Sequence, residues 1–414
     1  MFERIYRYFT KNKIFDANLH GYRGNRSTQT ALTTMYDRWI RATEKGLFSG
    51  VLMLDLSSAF DLVDHGLLLE KLKIYGFQQD CLDWIESYLS NRYQAVWIDH
   101  VMSEFLKSTV GVPQGSNLGP LLFLIYFNDL PANLCGSVDS YADDTTITVA
   151  GNSVEVVEAL LEKDCVGVSN WMQQNMLKIN LEKTHVMTVG SKARIAMLPR
   201  KLNVKMGYVT LEQSNSQLLL GCWIEDSLKW TKQISFLVSK LVTRLNALTH
   251  LRYICPFTVR KNLAEGLFNS TLVYCLPVFG GMDHQHIKDV QILQNKVARI
   301  VCNAPPRSNR AELFKKLGWL TFNQLSHYHT LISVFKILKA NEPEYLAGHL
   351  NNFSRNGRIM IPKYRLTLTG DSFCFKGSKY WNQLPHSIRS IEKVPLFKRK
   401  LRTWILDNIP RFLD

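Results

Sequence analysis

The chain lacks several features that would settle its class on their own. Its eight cysteines, Cys81, Cys135, Cys165, Cys222, Cys255, Cys275, Cys302 and Cys374, are scattered without any Cys-x-x-Cys pair. That argues against a zinc framework or a disulfide scaffold and fits a reducing, intracellular setting, nucleus or cytoplasm. Long apolar runs are missing too. The longest, Leu118 to Phe127, is broken by Gly119 and Pro120 and falls well short of the ~20 residues that cross a bilayer, so no membrane partner is expected. Met1 to Thr10 carries charges where a secretory signal needs an apolar stretch. No repeat or low-complexity segment is visible. Acid is scarce in one part only: residues 241–414 hold 26 Lys+Arg against 10 Asp+Glu, net +16, whereas residues 1–240 hold 24 against 25, net −1. Such a surplus favours a polyanion, because each phosphate neutralised releases counterions. The plain alternative is a solvated surface whose basicity serves solubility.

What is present reads as a folded protein. With 414 residues, 46% of them hydrophobic, the chain can bury more than one core, and two or three domains are expected. Gly50-Val-Leu-Met-Leu-Asp55-Leu56 is an apolar run without alternation, as in a strand buried on both faces, with Asp55 at its C-terminal end. Ser57 and Ser58 offer an N-cap to a helix through Leu67, Leu68, Leu69 and Leu72 that stops at Gly76. A short helix from Leu82 to Leu89 and a strand from Gln94 to Ile98 come next. The Gly- and Pro-bearing loop Gly111 to Ser116 then leads into an apolar helix from Leu118 to Leu130. Asp143 and Asp144 occupy the turn of a hairpin whose arms carry Val138 and Tyr141, then Ile147 and Val149. Val154 to Met176 repeats at helical spacing and Lys178 to Val189 returns to strand character. The order predicts a mixed α+β layer.

From Trp230 onward the pattern is helical alone, with amphipathic stretches at Ile234 to Leu251, Thr258 to Tyr274 and His286 to Cys302. A domain boundary is therefore expected near residue 230. Two further helices, Ala311 to Leu317 and Asn323 to Ala340, precede a less regular basic tail that starts near Asn351 and ends in a helix from Pro395 to Asp407. Trp171 and Trp230 read as core or hinge packing, while Lys398-Arg399-Lys400 with Arg402 could grip RNA or simply face solvent.

The doublet carries the chemistry. Adjacent carboxylates in an apolar hairpin repel each other unless solvated or neutralised, and a third, Asp55, ends a strand 88 residues before Asp143. Carboxylate oxygens gathered in this way suit a divalent cation. Taken alone, Asp-Asp in a turn is equally a structural choice, since Asp favours turns.

Its company narrows the choice. Leu54-Asp-Leu-Ser-Ser-Ala-Phe-Asp-Leu-Val-Asp-His65, Gly111-Val-Pro-Gln-Gly-Ser-Asn-Leu-Gly-Pro-Leu-Leu-Phe123, Tyr141-Ala-Asp-Asp144, Leu177-Lys-Ile-Asn-Leu-Glu-Lys-Thr184 and Leu218-Leu-Leu-Gly-Cys222 occur in that order. The set closely resembles the palm motifs of reverse transcriptases, specifically those of non-LTR (LINE-like, jockey-type) retrotransposons. Gly21-Tyr-Arg-Gly-Asn-Arg-Ser-Thr-Gln-Thr-Ala31 looks like the family's second fingers motif. The helical region and Trp381-Asn-Gln-Leu-Pro385 look like the part that follows the palm. The resemblance covers roughly residues 1 to 410.

The resemblance implies a right-hand polymerase: partial fingers over 1–48, an antiparallel palm sheet with helices over 49–229, an all-helical thumb over 230–304 and a basic C-terminal region over 305–414. It implies an RNA-directed DNA polymerase that extends a primer 3′-hydroxyl with dNTPs on an RNA template, the DNA primer or target being its other partner. Asp55, Asp143 and Asp144 match the carboxylates that hold two Mg²⁺ ions, Mn²⁺ being possible in their place. Phe60 matches the aromatic gate that excludes a ribose 2′-hydroxyl by clash, which disfavours an RNA-dependent RNA polymerase. Gln114 and Gly115 match the loop against the incoming nucleotide, with Asn117 departing from the small apolar residue usual nearby. Lys183 matches the lysine that protonates the leaving pyrophosphate, and Leu218 to Cys222 the primer-grip hairpin. Arg23 and Arg26 sit where fingers cations would meet phosphates. Asp61, Asp64 and His65 are expected to cap and anchor the following helix. The resemblance also implies that the chain starts inside the fingers, with an Arg-bearing stretch and an endonuclease upstream in the proteins it resembles. The alternative is a catalytically impaired, retrotransposon-derived nucleic-acid-binding remnant.

Overall fold

In a computed structural model that describes residues 1–279, 284–361 and 363–409, the chain forms two compact units, Met1–Ser27 with Gly46–Asn215, and Thr28–Lys45 with Ser216–Asp414. The last five residues of the expected basic C-terminal region lie outside the described residues. The helix Thr28–Glu44 and the hairpin Ser216–Glu225 thus belong to the second unit.

The first unit is mixed α/β and carries a five-stranded sheet. Its strands are β1 (Phe48–Leu54), β2 (Ser137–Tyr141), β3 (Asp144–Gly151), β4 (His185–Val189) and β5 (Glu212–Gln213), ordered β5-β4-β1-β3-β2. All neighbours run antiparallel except β5, which is parallel to β4. The unalternating sequence of β1 follows from its central place, with Val51 and Leu52 fully buried. Gly50 lets a helix press onto the strand: a Cβ there would lie 2.4 Å from Val157 Cγ1 and 2.8 Å from Leu161 Cδ1. That helix, Val154–Gln174, begins where the Ser153 hydroxyl accepts from the Val156 amide and buries Val157, Leu161, Cys165 and Val168 at helical spacing.

Three local expectations change. The chain after Asp55 does not enter its helix at Ser57 or Ser58. Ser58 is left-handed (φ 49) before a 3₁₀ turn, Ala59–Leu62, and the helix His65–Ile74 starts at Asp64, whose carboxylate accepts from the Leu67 amide at 2.9 Å. Residues 178–184 form a loop in place of a strand, because Asn180 and Thr184 bond locally: the Thr184 hydroxyl donates to the Asn180 carbonyl at 2.8 Å. The expected strand from Gln94 to Ile98 splits between two ladders, Arg92–Gln94 with Leu106–Ser108 and Trp97–Ile98 with Val101–Met102.

Among its described residues the second unit is helical apart from its hairpin and a single antiparallel bridge between Phe353 and Ile359. Helices Thr231–His250, His284–Cys302, Arg310–Leu317 and Phe322–Ala340 stand where periodicity places them. The stretch Phe257–Val273 is helical with a π-wound middle, Ala264–Asn269. The tail is more ordered than its sequence suggests. Helices Phe373–Gln383 and Val394–Asn408 bury Trp381, Phe397, Leu401 and Ile405 in one core with Phe335, and Phe397 stacks on Phe335 at 4.0 Å. With Phe397, Leu401 and Ile405 facing inward, Lys398, Arg399, Lys400 and Arg402 are left exposed on the other faces of that helix. Trp171 and Trp230 are buried, as their surroundings in the sequence imply. All eight cysteines are free thiols. Among the described residues, no helix is long and apolar enough to cross a membrane.

Histidines make the fold acid-sensitive. Burial lowers the pKa of His20 in the first unit, and in the second it lowers that of His327 and brings His329 down to about 4, Lys398 and Lys336 adding to the effect on His329. A folded-state pKa below the unfolded 6.5 means that, as pH falls below 6.5, the unfolded chain takes up protons that the folded chain refuses. Stability is therefore lost with acid through this window. His329 alone should cost about 1–2 kcal/mol between pH 7.5 and 5. Denaturant midpoints measured over that range should fall, and His329→Gln should flatten part of the decline.

Candidate active site

The strand register assembles the three aspartates. Leu54 pairs with Thr145 across β1 and β3, so the next residue along, Asp55, comes out beside Asp144. Tyr141 pairs with Asp144 across β2 and β3, closing a two-residue turn of Ala142 and Asp143. Ala142 takes φ 61, a conformation costly for a residue with a Cβ, and such strain persists only where the surroundings impose it. Here the Ser140 hydroxyl donates to the Ala142 carbonyl at 2.8 Å and the Thr145 hydroxyl to the Asp143 carbonyl at 3.3 Å.

The carboxylates sense one another. Asp144 is held above its ordinary pKa, first by loss of solvent around the carboxyl and then by the charges of Asp143 and Asp55, although the residue as a whole stays exposed. Among the described residues, no group of three or more His, Cys, Asp or Glu side chains is gathered closely enough to hold a metal ion as it stands. The aspartates are an open acidic set on adjoining strand ends, hard oxygen donors whose mutual repulsion a divalent cation would relieve, so the donor chemistry fits such an ion.

Asp55 is also bonded to the Lys183 loop. Its amide donates to the Thr184 hydroxyl at 3.3 Å, and its carbonyl accepts from the Asn180 amide at 2.9 Å. Lys183 itself is exposed. This stitching explains the family of polar residues at 180–184 better than strand character does.

Phe60 is half-buried, stacked on Phe123 at 4.2 Å and 21°, with the Tyr22 ring edge-on at 6.2 Å. The Gly111–Gln114 loop is tied to the same turn. Val112 donates to the Phe60 carbonyl, His65 Nε2 meets the Gly111 carbonyl at 2.7 Å, and Gln114 Nε2 donates to Asp61 Oδ1 at 2.8 Å. Asp64 caps its helix as expected, whereas His65 ties that helix to the Gly111 carbonyl and Asp61 holds Gln114, roles the sequence does not reveal. Gly111, at φ +86, lies so close to the Asp61 backbone that a Cβ would meet its carbonyl oxygen at 2.8 Å, whereas Gly115, at φ +77, faces open space.

Arg23 and Arg26 both donate to the backbone of the segment before them. Arg23 lies over the Phe15 ring and donates to the carbonyls of Asp16 and Leu19, and Arg26 donates to that of Ala17. Both brace the segment that leads to Tyr22. Residues Asn18 to His20 add to the edge of β2, with His20 N donating to the Ser140 carbonyl at 2.7 Å and Ser140 N to that of Asn18 at 3.1 Å. His20 and Asp139 lie buried below the hairpin, Nε2 to Oδ1 at 3.7 Å. Sequence reasoning passed over Tyr22, His20 and Asp139. The available signal was Tyr22's place inside the Gly21-Tyr-Arg motif, where attention falls on the cations. The hairpin of the second unit closes at Leu219 and Cys222 over left-handed Leu220 and Gly221.

Comparison with known proteins points the same way. Residues 2–240 match the family described as reverse transcriptase (RNA-dependent DNA polymerase). The chain is 25% identical over 297 residues to the RNA-directed DNA polymerase from mobile element jockey of Drosophila melanogaster, covering 69% of this chain and 32% of that protein. It is 23% identical over 332 residues to the probable RNA-directed DNA polymerase from transposon BS of the same species, covering 78% and 36%. The chain thus spans about a third of the length of these relatives. Among solved structures, apo telomerase from Candida Tropicalis aligns at a TM-score of 0.44 and 11% identity over 99% of this chain and 58% of that one, too distant a likeness to carry an argument.

Proposed function

The chain belongs to the reverse transcriptase (RNA-dependent DNA polymerase) family, and from that premise we propose that it is the RNA-directed DNA polymerase of a non-LTR retrotransposon, extending a primer 3′-hydroxyl with dNTPs on an RNA template. The observation that carries this reading is the register that sets Asp55 beside the Asp143 and Asp144 turn, with Asp144 feeling the charge of both others. In a polymerase's terms the sheet of the first unit is the palm, the segment before it part of the fingers, and the helices from Thr231 the thumb.

Asp55, Asp143 and Asp144 would hold two divalent cations, Mg²⁺ or Mn²⁺. When bound, such ions lower the pKa of the attacking hydroxyl and offset the charge that builds on the leaving phosphate. The residues of the chain do the rest. By fixing where those ions would sit, the clustered carboxylates would set the place at which the 3′-hydroxyl and the α-phosphate meet, which lowers the entropic part of the barrier. Gln114 and Gly115 lie against the incoming nucleotide, and Gly115, lacking a Cβ, permits close backbone approach. Lys183, an exposed and mobile ammonium, gives a proton to the departing pyrophosphate. Arg23 acts at one remove, through the segment it braces. Phe60, fixed on Phe123, leaves no room for a 2′-hydroxyl. The basic surplus beyond residue 240 provides for the nucleic-acid backbone.

Primer extension tests the reading: an RNA template, a DNA primer, dNTPs and Mg²⁺ should yield a complementary DNA strand. Strongly salt-dependent binding with no extension would overturn it and leave a nucleic-acid-binding remnant. Phe60→Val should let ribonucleotides in, lowering discrimination between dNTPs and rNTPs by roughly 10- to 200-fold, the range that a change of pocket size supports. Single-nucleotide incorporation kinetics would measure it.

A further inference from the structure

Tyr22 is presented, not packed away. It is 49% exposed, yet its backbone sits at φ 54, which costs a residue with a side chain energy that the surroundings must offset. Those surroundings are specific. The chain before it is bonded to β2 on both sides of Ser140. Gly21 lies against the site turn so closely that a Cβ would be 2.5 Å from the Ala142 nitrogen, and behind it the Gly24 amide donates to the Tyr6 hydroxyl at 2.7 Å. A tyrosine held out toward solvent by so many contacts is not there to fill a core.

It is held against the gate. Among the described residues, Phe60 has two aromatic neighbours: Phe123, 1% exposed and stacked on it, and Tyr22, edge-on at 6.2 Å. Phe123 fixes one side of the Phe60 ring from the core, and Tyr22 limits it from the open side. The phenol also feels Asp143, whose charge raises its pKa after the larger effect of lost solvent, so one side chain borders both the gate and the carboxylates.

We propose that Tyr22 is a positioning residue that fixes Phe60 and thereby sets selection of deoxynucleotides over ribonucleotides. This rests on the polymerase reading above. The ring, not the hydroxyl, does the work, because an edge-to-face contact restrains Phe60 whether or not oxygen is present. Loss of the ring gives Phe60 room to swing and admits a 2′-hydroxyl.

The experiment compares kcat/KM for single dNTP and rNTP incorporation in wild type, Tyr22→Ala, Tyr22→Leu and Tyr22→Phe. The expected result is a fall in dNTP preference of about 10-fold in Tyr22→Ala and Tyr22→Leu, carried mainly by KM, with Tyr22→Phe close to wild type. Tyr22→Leu keeps the readout if the alanine variant fails to fold. If wild type extends primers and its dNTP preference survives in the alanine or leucine variant, the inference is overturned while the polymerase reading stands. If Tyr22→Phe loses preference as much as Tyr22→Leu, the role belongs to the hydroxyl and the proposal is likewise overturned. Absence of extension by wild type overturns the polymerase reading itself, and this inference with it.

Discussion

Asp143→Asn should cut primer extension by about a hundred- to a thousandfold while leaving the protein folded. The substitution keeps the shape of the side chain and removes its charge, which is what a cation-holding carboxylate contributes: each such electrostatic group is typically worth 10²–10³ in rate. The turn does not depend on that charge. It is held by backbone pairing of Tyr141 with Asp144 and by the Ser140 and Thr145 hydroxyls, which bond to main-chain carbonyls. Stability should therefore be unchanged or slightly raised, since the variant relieves repulsion on Asp144, as often happens when a strained active-site charge is removed. Extension assays paired with thermal melts check both halves. Wild-type activity in Asp143→Asn would remove the residue from the catalytic set, and a collapsed melt would mean that its role is in the fold.

The acidic set was legible in the sequence because strand periodicity and a two-residue turn leave little freedom. Once Leu54 pairs with Thr145, the places of Asp55 and Asp144 follow from the pleat. Core positions of the long helices were legible for the same reason, as the repeat from Val157 to Val168 shows. What escaped depends on contacts between segments far apart in the chain. Ser57 looks like a helix cap until its amide turns out to bond the carbonyl of Lys178. Asp61 looks like a cap until Gln114, distant in sequence, reaches it. Tyr22 gains its meaning only when Phe60 lies beside it. Ahead of its last helix the C-terminal tail read as irregular because Phe373–Gln383 is set off by Pro385 and the four-residue helix His386–Arg389, and its apolar positions show a common core only when packed on Phe322–Ala340.

Asp164 is the residue whose importance the sequence hides most, and its loss should be among the most destabilising changes in the first unit. It sits among Glu162, Lys163 and Val166, where a surface carboxylate would be the ordinary reading, yet it is 1% exposed. Its two oxygens accept from the amides of Cys135 at 2.7 Å and Gly136 at 2.9 Å, the residues that lead into β2. A helix side chain thus sets where the doublet hairpin begins. Gly136 must be small for this, since a Cβ would lie 2.7 Å from Asp164 Oδ2 and 2.8 Å from Ile147 Cγ2. Asp164→Ala removes a charged acceptor from two amide donors at once. Each charge-assisted bond is worth about 1.5–3 kcal/mol, and unpaired donors add to the cost, so a loss of about 3–4 kcal/mol is expected. Asp164→Asn, which keeps one acceptor oxygen but turns an NH₂ toward the other amide, should fall between the two. Denaturant unfolding measures the series, and a double-mutant cycle with Gly136→Ala should show coupling, because the clash with Oδ2 disappears once the carboxylate is gone. Primer extension by Asp164→Ala should be lost at temperatures well below the wild-type melt, following the loosening of β2 and with it the Asp143 turn. An Asp164→Ala variant as stable as wild type would mean that the start of β2 is set by the strand pairing alone.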